Sequence, residues 1–202
     1  MSSLYSLLYG NNPVAHPRHK VFVSYHHSNW DQPYRNHFEN LFANIHDVMI
    51  SQSVQIGDIN PNLATETIRQ KIRDEYLRDS TVTVVLIGPE TWKRKHVDWE
   101  IGSSIRQTQY NPRSGLLGII LPTYPRNDNT TQTPRSLADI FSPHYDPYTI
   151  PPRLHDNIKC GFARIYNWSN DPTSVQEWIH EAFEKRNKVN PDNSYPSFVN
   201  NR

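Results

Sequence analysis

Glu100 stands in the one stretch of this chain whose residue order suggests chemistry. It follows a buried apolar run from Thr81 to Ile87, a Gly88-Pro89 stop and a short loop, and it sits early in the helix that carries VDWEIGSSI. A carboxylate there falls within a turn or two of the edge at which parallel sheets bind their ligands. The plain alternative is a solvated glutamate favoured near a helix N-terminus. His96 lies four residues earlier, and positions four apart share a helix face. It reads as a neighbour of Glu100 and its ligand, or equally as a surface residue at the helix start. Trp99 is an aromatic surface for a ligand or a packing residue of the core.

A second group closes the first apolar run, KVFVSY, with Ser24, Tyr25 and then His26. Tyr25 is a ring for stacking or a half-buried aromatic at a strand end, with nothing to choose between them. His26 and His27 are adjacent, so their rings point apart and match no zinc spacing; no metal is expected. Asp58 lies in the loop QIGDINP, where a turn-forming role is an equally good account. No GxGxxG follows the first strand and no GxxxxGK[ST] occurs, so the usual glycine cradles for phosphate are missing.

These residues need elements to position them. Lys20 to Tyr25 reads as a first strand, and Asp31 to Ile45 as a helix with Tyr34, Phe38, Leu41, Phe42 and Ile45 on one face. Asp47 to Val54 is a weak second strand. A helix from Leu63 to Arg78 carries Ile68, Ile72 and Tyr76 at intervals of four. Thr81 to Ile87, apolar without alternation, suits a parallel strand covered on both faces. In the next helix Val97, Ile101 and Ile105 form the inward stripe, which leaves Glu100 toward the flank. Gly115 to Leu121 and Gly161 to Tyr166 are further strands. Asp171-Pro172 starts a last helix, with an N-cap acceptor followed by proline.

Strand and helix thus alternate about five times, which predicts an α/β domain with a parallel sheet. In such sheets ligands bind beyond the carboxyl ends of the strands, where Glu100 and Ser24 both fall. Residues 1–18 read as an N-terminal arm, 19–187 as the domain and 188–202 as a polar, frayed tail. Residues 122–159 form a long connection with seven of the sixteen prolines, briefly helical at Ser136 to Phe141. A connection that long is a functional cover or a mobile loop.

Composition narrows the classes. The 202 residues carry a formal net charge of +1, which argues against broad electrostatic binding to nucleic acid. No apolar run approaches the ~20 residues of a membrane helix. The start, MSSLYSLLYGNN, has neither a basic nor a long apolar region, so no secretory signal is expected. Cys160 is the only cysteine, which suits a reducing cytoplasm.

Several segments then fall in one order: KVFVSYHH, ISQSVQIGDINPN, ATETIRQKIRDEYLRDSTVTVVLIGPET, VDWEIGSSI, GLLGIILP, IPPRLHDN and FARIYNW. In this order the chain resembles the bacterial TIR-like family, and within it the TIR proteins of Thoeris antiphage systems. The resemblance spans about Lys20 to Arg186. It implies a flavodoxin-like TIR fold, an α/β domain with a central, mostly parallel five-stranded sheet and helices on both faces.

The resemblance also implies one of two functions. Many TIR domains only assemble with other TIR domains. Others cleave NAD at the nicotinamide–ribose bond and cyclise the ADP-ribose part, and in Thoeris-like systems the cyclic product signals to a separate effector protein. NAD would be substrate rather than cofactor. Nicotinamide leaves a pyridinium as a neutral molecule, so the ribose alone needs help, and one carboxylate is sufficient. The position of that glutamate in TIR enzymes corresponds to Glu100. Ser24, Tyr25 and His26 correspond to the place that receives nicotinamide and its ribose, with Tyr25 to stack and His26 to meet a phosphate. Asp58 falls in a loop that often borders the substrate. Where TIR enzymes often carry a tryptophan, this chain has His96, with Trp92 or Trp99 as substitutes. Arg153, His155 and Asn157 match a family motif without an evident chemical role. TIR–TIR self-assembly is the implied partner. A nucleoside deoxyribosyltransferase-like enzyme shares the glutamate logic and is the third reading.

Overall fold

The computed structural model describes residues 19–42, 48–51, 63–108, 111–125 and 143–202, with 48–51 and 65 as backbone only. Five strands form one sheet: β1 (His19–Ser24), β2 (Val48–Ser51), β3 (Val82–Ile87), β4 (Gly115–Ile120) and β5 (Ala163–Asn167). Their order is β2-β1-β3-β4-β5 and every pairing is parallel. The helices are α1 (Gln32–Phe42), α2 (Thr65–Lys71), α3 (Lys95–Ser104), α4 (Pro152–Lys159) and α5 (Pro172–Lys185). This is the α/β domain with a parallel sheet that the alternation of elements predicts, in the flavodoxin-like order that the resemblance implies. Strand order reverses at β1, so the crevice between the ends of β1 and β3 is the natural ligand position.

β3 explains why the sheet is covered on both sides. All six of its residues are buried, and their alternation sends Val82, Val84 and Leu86 to one core and Val85 and Ile87 to the other. The first core joins Phe38 and Phe42 of α1 to Val175, Ile179 and Ala182 of α5. The second joins Val97 and Ile101 of α3 to Leu154 of α4. A smaller third cluster ties Phe22 of β1 to Ile68 and Ile72 and to Trp99 of α3. Asp171 caps α5 as its sequence predicts, accepting from the amides of Thr173 and Ser174 at 3.2 Å each.

Four details differ from the sequence expectations. The second helix is α-helical only to Lys71, and Ile72–Tyr76 form a π-helical turn. The proline-rich connection contains α4: Pro152 opens it, and Leu154 faces the core because burial, not proline density, decides the local structure. The inward stripe of α3 is not a stripe, since every residue from Val97 to Ser104 is buried. The tail beyond Arg186 is not frayed but hydrogen-bonded to α3 and α4. The expected arm 1–18, the helix at Ser136 to Phe141 and Asp58 lie outside the described residues. No helix among the described residues is long and apolar enough to cross a membrane.

Candidate functional site

α3 meets the end of β1 at two points one helical turn apart. Ser24 Oγ donates to Glu100 Oε2 at 2.5 Å, and His96 Nε2 lies 3.1 Å from the carbonyl oxygen of Tyr25. Ser24, the last residue of β1, and Tyr25, the next in the chain, are therefore bonded to residues four apart on the helix. The i, i+4 spacing allows this because both side chains leave one face of α3. Ser24 is paired in register with Val85 of β3, which puts the contact at the switch point of the sheet. Ser24 and Glu100 are both fully buried, so the carboxylate is closed off from solvent.

His96 is neutral here. Burial is the main cause that lowers its pKa to about 4, outweighing the bond to the Tyr25 carbonyl, with His27, His26 and Arg94 adding to the depression. A carbonyl only accepts, so Nε2 must carry the proton and Nδ1 the lone pair. His26 is also lowered to about 4, first by burial and then by the Arg94 guanidinium. A neutral imidazole offers a phosphate an N–H donor rather than a positive charge.

The expected substrate-facing residues separate into distinct positions. Tyr25 is 1% exposed and belongs to the first core. Its hydroxyl donates to Gln32 Oε1 at 2.6 Å, and its ring packs on His27 with centroids 4.2 Å apart. Its ring is therefore a core residue and not an open stacking surface. Trp99 is likewise core, with its indole donating to the carbonyl of Phe198 at 2.9 Å. Ser24 bonds Glu100 directly, and His96 bonds the carbonyl of the next residue, Tyr25. His26 instead lines a cavity of about 360 Å³ with Ser28, Trp30, Asp31, Glu90 and Thr123.

That cavity has a floor the sequence did not suggest. Asp31 is fully buried and its carboxyl lies against Gly88, where an added Cβ would stand 2.3 Å from Oδ1. Thr123 Oγ1 donates to Asp31 Oδ1 at 3.0 Å. Burial pushes the Asp31 pKa up, against the lowering effect of the Thr123 and Ser28 bonds. The loops after β1, β3 and β4 are joined through this one side chain. Among the described residues, no three His, Cys, Asp or Glu side chains are grouped to hold a metal.

Arg153 and Asn157, matched to a motif without a role, have a structural one. Arg153 Nε donates to Asp98 Oδ1 at 2.9 Å in a fully buried ion pair. Asn157 Nδ2 donates to the carbonyl of Asp192 at 2.7 Å. Their i, i+4 spacing was the available signal, because it places both on one face of α4; their partners on α3 and in the tail were not visible.

No curated protein matches the chain. The family model described as Thoeris protein ThsB, TIR-like domain, matches residues 22–126, more than half of the chain, from within β1 to just past β4. That span holds Ser24, His96 and Glu100 together with the strands that position them, and the parallel 2-1-3-4-5 sheet is an α/β fold consistent with the match. The chain belongs to the Thoeris ThsB TIR-like domain family, with a TIR-domain role in defence.

Proposed function

We propose that this protein cleaves NAD at the nicotinamide–ribose bond and closes the remaining part into a cyclic ADP-ribose isomer. The reading rests on one observation, the Ser24–Glu100 pair at the switch point of the sheet. The bond from the ribose anomeric carbon to the pyridinium nitrogen breaks, and its electron pair leaves with neutral nicotinamide. The sugar carries oxocarbenium charge, which the Glu100 carboxylate stabilises. Ser24, by donating to Oε2, holds the carboxylate in one rotamer. Water attacking the anomeric carbon gives ADP-ribose and a proton. A hydroxyl or adenine nitrogen of the same molecule gives the cyclic isomer and a proton instead, an outcome favoured where the substrate-loaded site excludes water. The scheme uses NAD as substrate and no resident cofactor. The product signals in the cytoplasm to a separate effector protein, and self-assembly through TIR–TIR contacts opens the site.

The complete burial of Glu100 favours a second reading, in which the Ser24 bond is structural and the protein is a non-catalytic TIR interaction module. Purified protein, assembled or triggered by lysate from infected cells, separates the two. On the enzymatic reading, mass spectrometry detects nicotinamide and a cyclic or linear ADP-ribose, and Glu100→Gln lowers the rate by about 100-fold or more. Intact NAD together with a Glu100→Gln variant that still protects cells rejects catalysis.

A further inference from the structure

The C-terminal tail lies outside the residues matched by the family model, yet it is bonded to α3 along most of that helix. Arg202 N donates to the Lys93 carbonyl at 2.9 Å. Asn201 Oδ1 accepts from Lys95 N at 2.9 Å. Phe198 N donates to Asp98 Oδ2 at 3.0 Å, and the Phe198 carbonyl accepts from the Trp99 indole. Asn193 Nδ2 donates to the Gly102 carbonyl at 3.0 Å. Arg153 locks the arrangement, donating to Asp98 on one side and to Asn193 Oδ1 and the Tyr195 carbonyl on the other. Gly102 leaves room for it, since a Cβ there would stand 3.2 Å from Arg153 Nε.

Two features show that these bonds serve the helix. The N-cap residue Arg94 makes no side-chain cap bond, so Asn201, about a hundred positions away, supplies the acceptor a first-turn amide needs. Phe198 is buried but belongs to none of the three apolar clusters. Helix geometry gives the direction. Each residue turns the helix by about 100°, so Asp98 and Gly102 lie opposite Glu100, with Lys95 and Trp99 beside them. The tail therefore backs α3 while the front of α3 meets Ser24.

We infer that residues 191–202, held by Arg153, are a positioning element for Glu100 that sets how α3 seats on the end of β1. The consequence for turnover rests on the NAD reading above. A displacement of about 1 Å at a reacting group lowers rates on the order of 100-fold, and a helix released on its back face has that freedom.

The test uses the full-length protein with a protease recognition sequence inserted between Asn190 and Pro191. After cleavage the tail is dialysed away, then returned as a synthetic peptide of residues 191–202. Tail removal is expected to leave the far-UV circular dichroism of the sheet intact and to speed amide exchange across Val97–Ser104 about tenfold. It also lowers kcat on NAD about 100-fold with KM within about twofold, and the peptide restores both readings. Unchanged exchange and kcat overturn the inference. So does loss of the sheet signal, because the tail is then a global stability element. Asn201→Ala in the uncut chain decides the matter independently: kcat falls about fivefold, the worth of one cap, and Asn201→Asp, which keeps the acceptor, restores it. Wild-type kinetics for Asn201→Ala overturn the inference. If the intact protein leaves NAD uncleaved, the NAD reading fails, and amide exchange in α3 still decides the role of the tail.

Discussion

Asp98 and Glu100, two residues apart on α3, are both buried and face opposite ways, Asp98 onto Arg153 and Glu100 onto Ser24. A turn of about 200° separates them, so one helix holds a structural ion pair on its back and the candidate catalytic contact on its front. Changes at the two positions should therefore have different signatures.

On the front, Ser24→Ala removes the donor to Glu100. A hydrogen bond to a charged partner contributes about 1.5–3 kcal/mol, so NAD cleavage is expected to fall about tenfold or more while the fold persists. Steady-state kinetics paired with a thermal melt check this; a variant that loses stability with unchanged turnover per folded molecule contradicts it.

On the back, Asp98→Ala or Arg153→Ala leaves an uncompensated buried charge. Loss of about 3–5 kcal/mol is expected from either single change. The double variant should lose less than the sum, because neither charge is then stranded. Urea denaturation of the four proteins forms the required cycle, and additive losses would show that the two charges do not act as a pair.

The buried histidines predict a pH dependence. His96 and His26 have folded pKa values of about 4, below the ~6.5 of an unfolded histidine. The unfolded chain therefore binds more protons between those values, and stability rises with pH across that window. The contribution is fully present above about pH 6.5 and is lost as pH falls toward 4, with roughly 3 kcal/mol from His96. His26, His27 and Arg94 all act on His96 in the same direction. Unfolding midpoints at pH 7.5 and 5 measure the slope, and His96→Gln should reduce it, His26 retaining the rest, while keeping a donor for the Tyr25 carbonyl.

Gly88 carries a steric prediction. An alanine methyl would meet the Asp31 carboxylate at 2.3–2.6 Å, and overpacking of this kind costs about 1–3 kcal/mol. Gly88→Ala should lower the thermal midpoint, and Asp31→Ala in the same chain should recover part of the loss. A Gly88→Ala protein as stable as wild type would mean that Asp31 moves freely, which its bond to Thr123 opposes.

The elements themselves were legible because their signals are local. β3 reads as a strand from an unbroken apolar run with a glycine-proline stop, and the Asp171 cap of α5 from two adjacent residues. The apolar spacing of Phe38 and Phe42, and of Val97 and Ile101, marks faces of helices that do reach the cores. From these, a parallel sheet and a place for Glu100 near its carboxyl edge follow by general rules of such folds.

Other features were decided only in three dimensions. Ser24 and Glu100 are 76 positions apart, Asp98 and Phe198 a hundred, and Asp31 and Thr123 ninety-two. No periodicity carries information over such separations, because a hydrogen bond depends on where two segments meet and not on the residues around each. The same reason accounts for the tail, whose polar residues look frayed until Arg153 and the backbone of α3 provide partners. It also accounts for Tyr25 and Trp99, whose side chains suit stacking on a ligand but are used by the cores. Local residue order settled the fold class and nominated Glu100; the non-local contacts decided which of its neighbours touch it and what holds its helix in place.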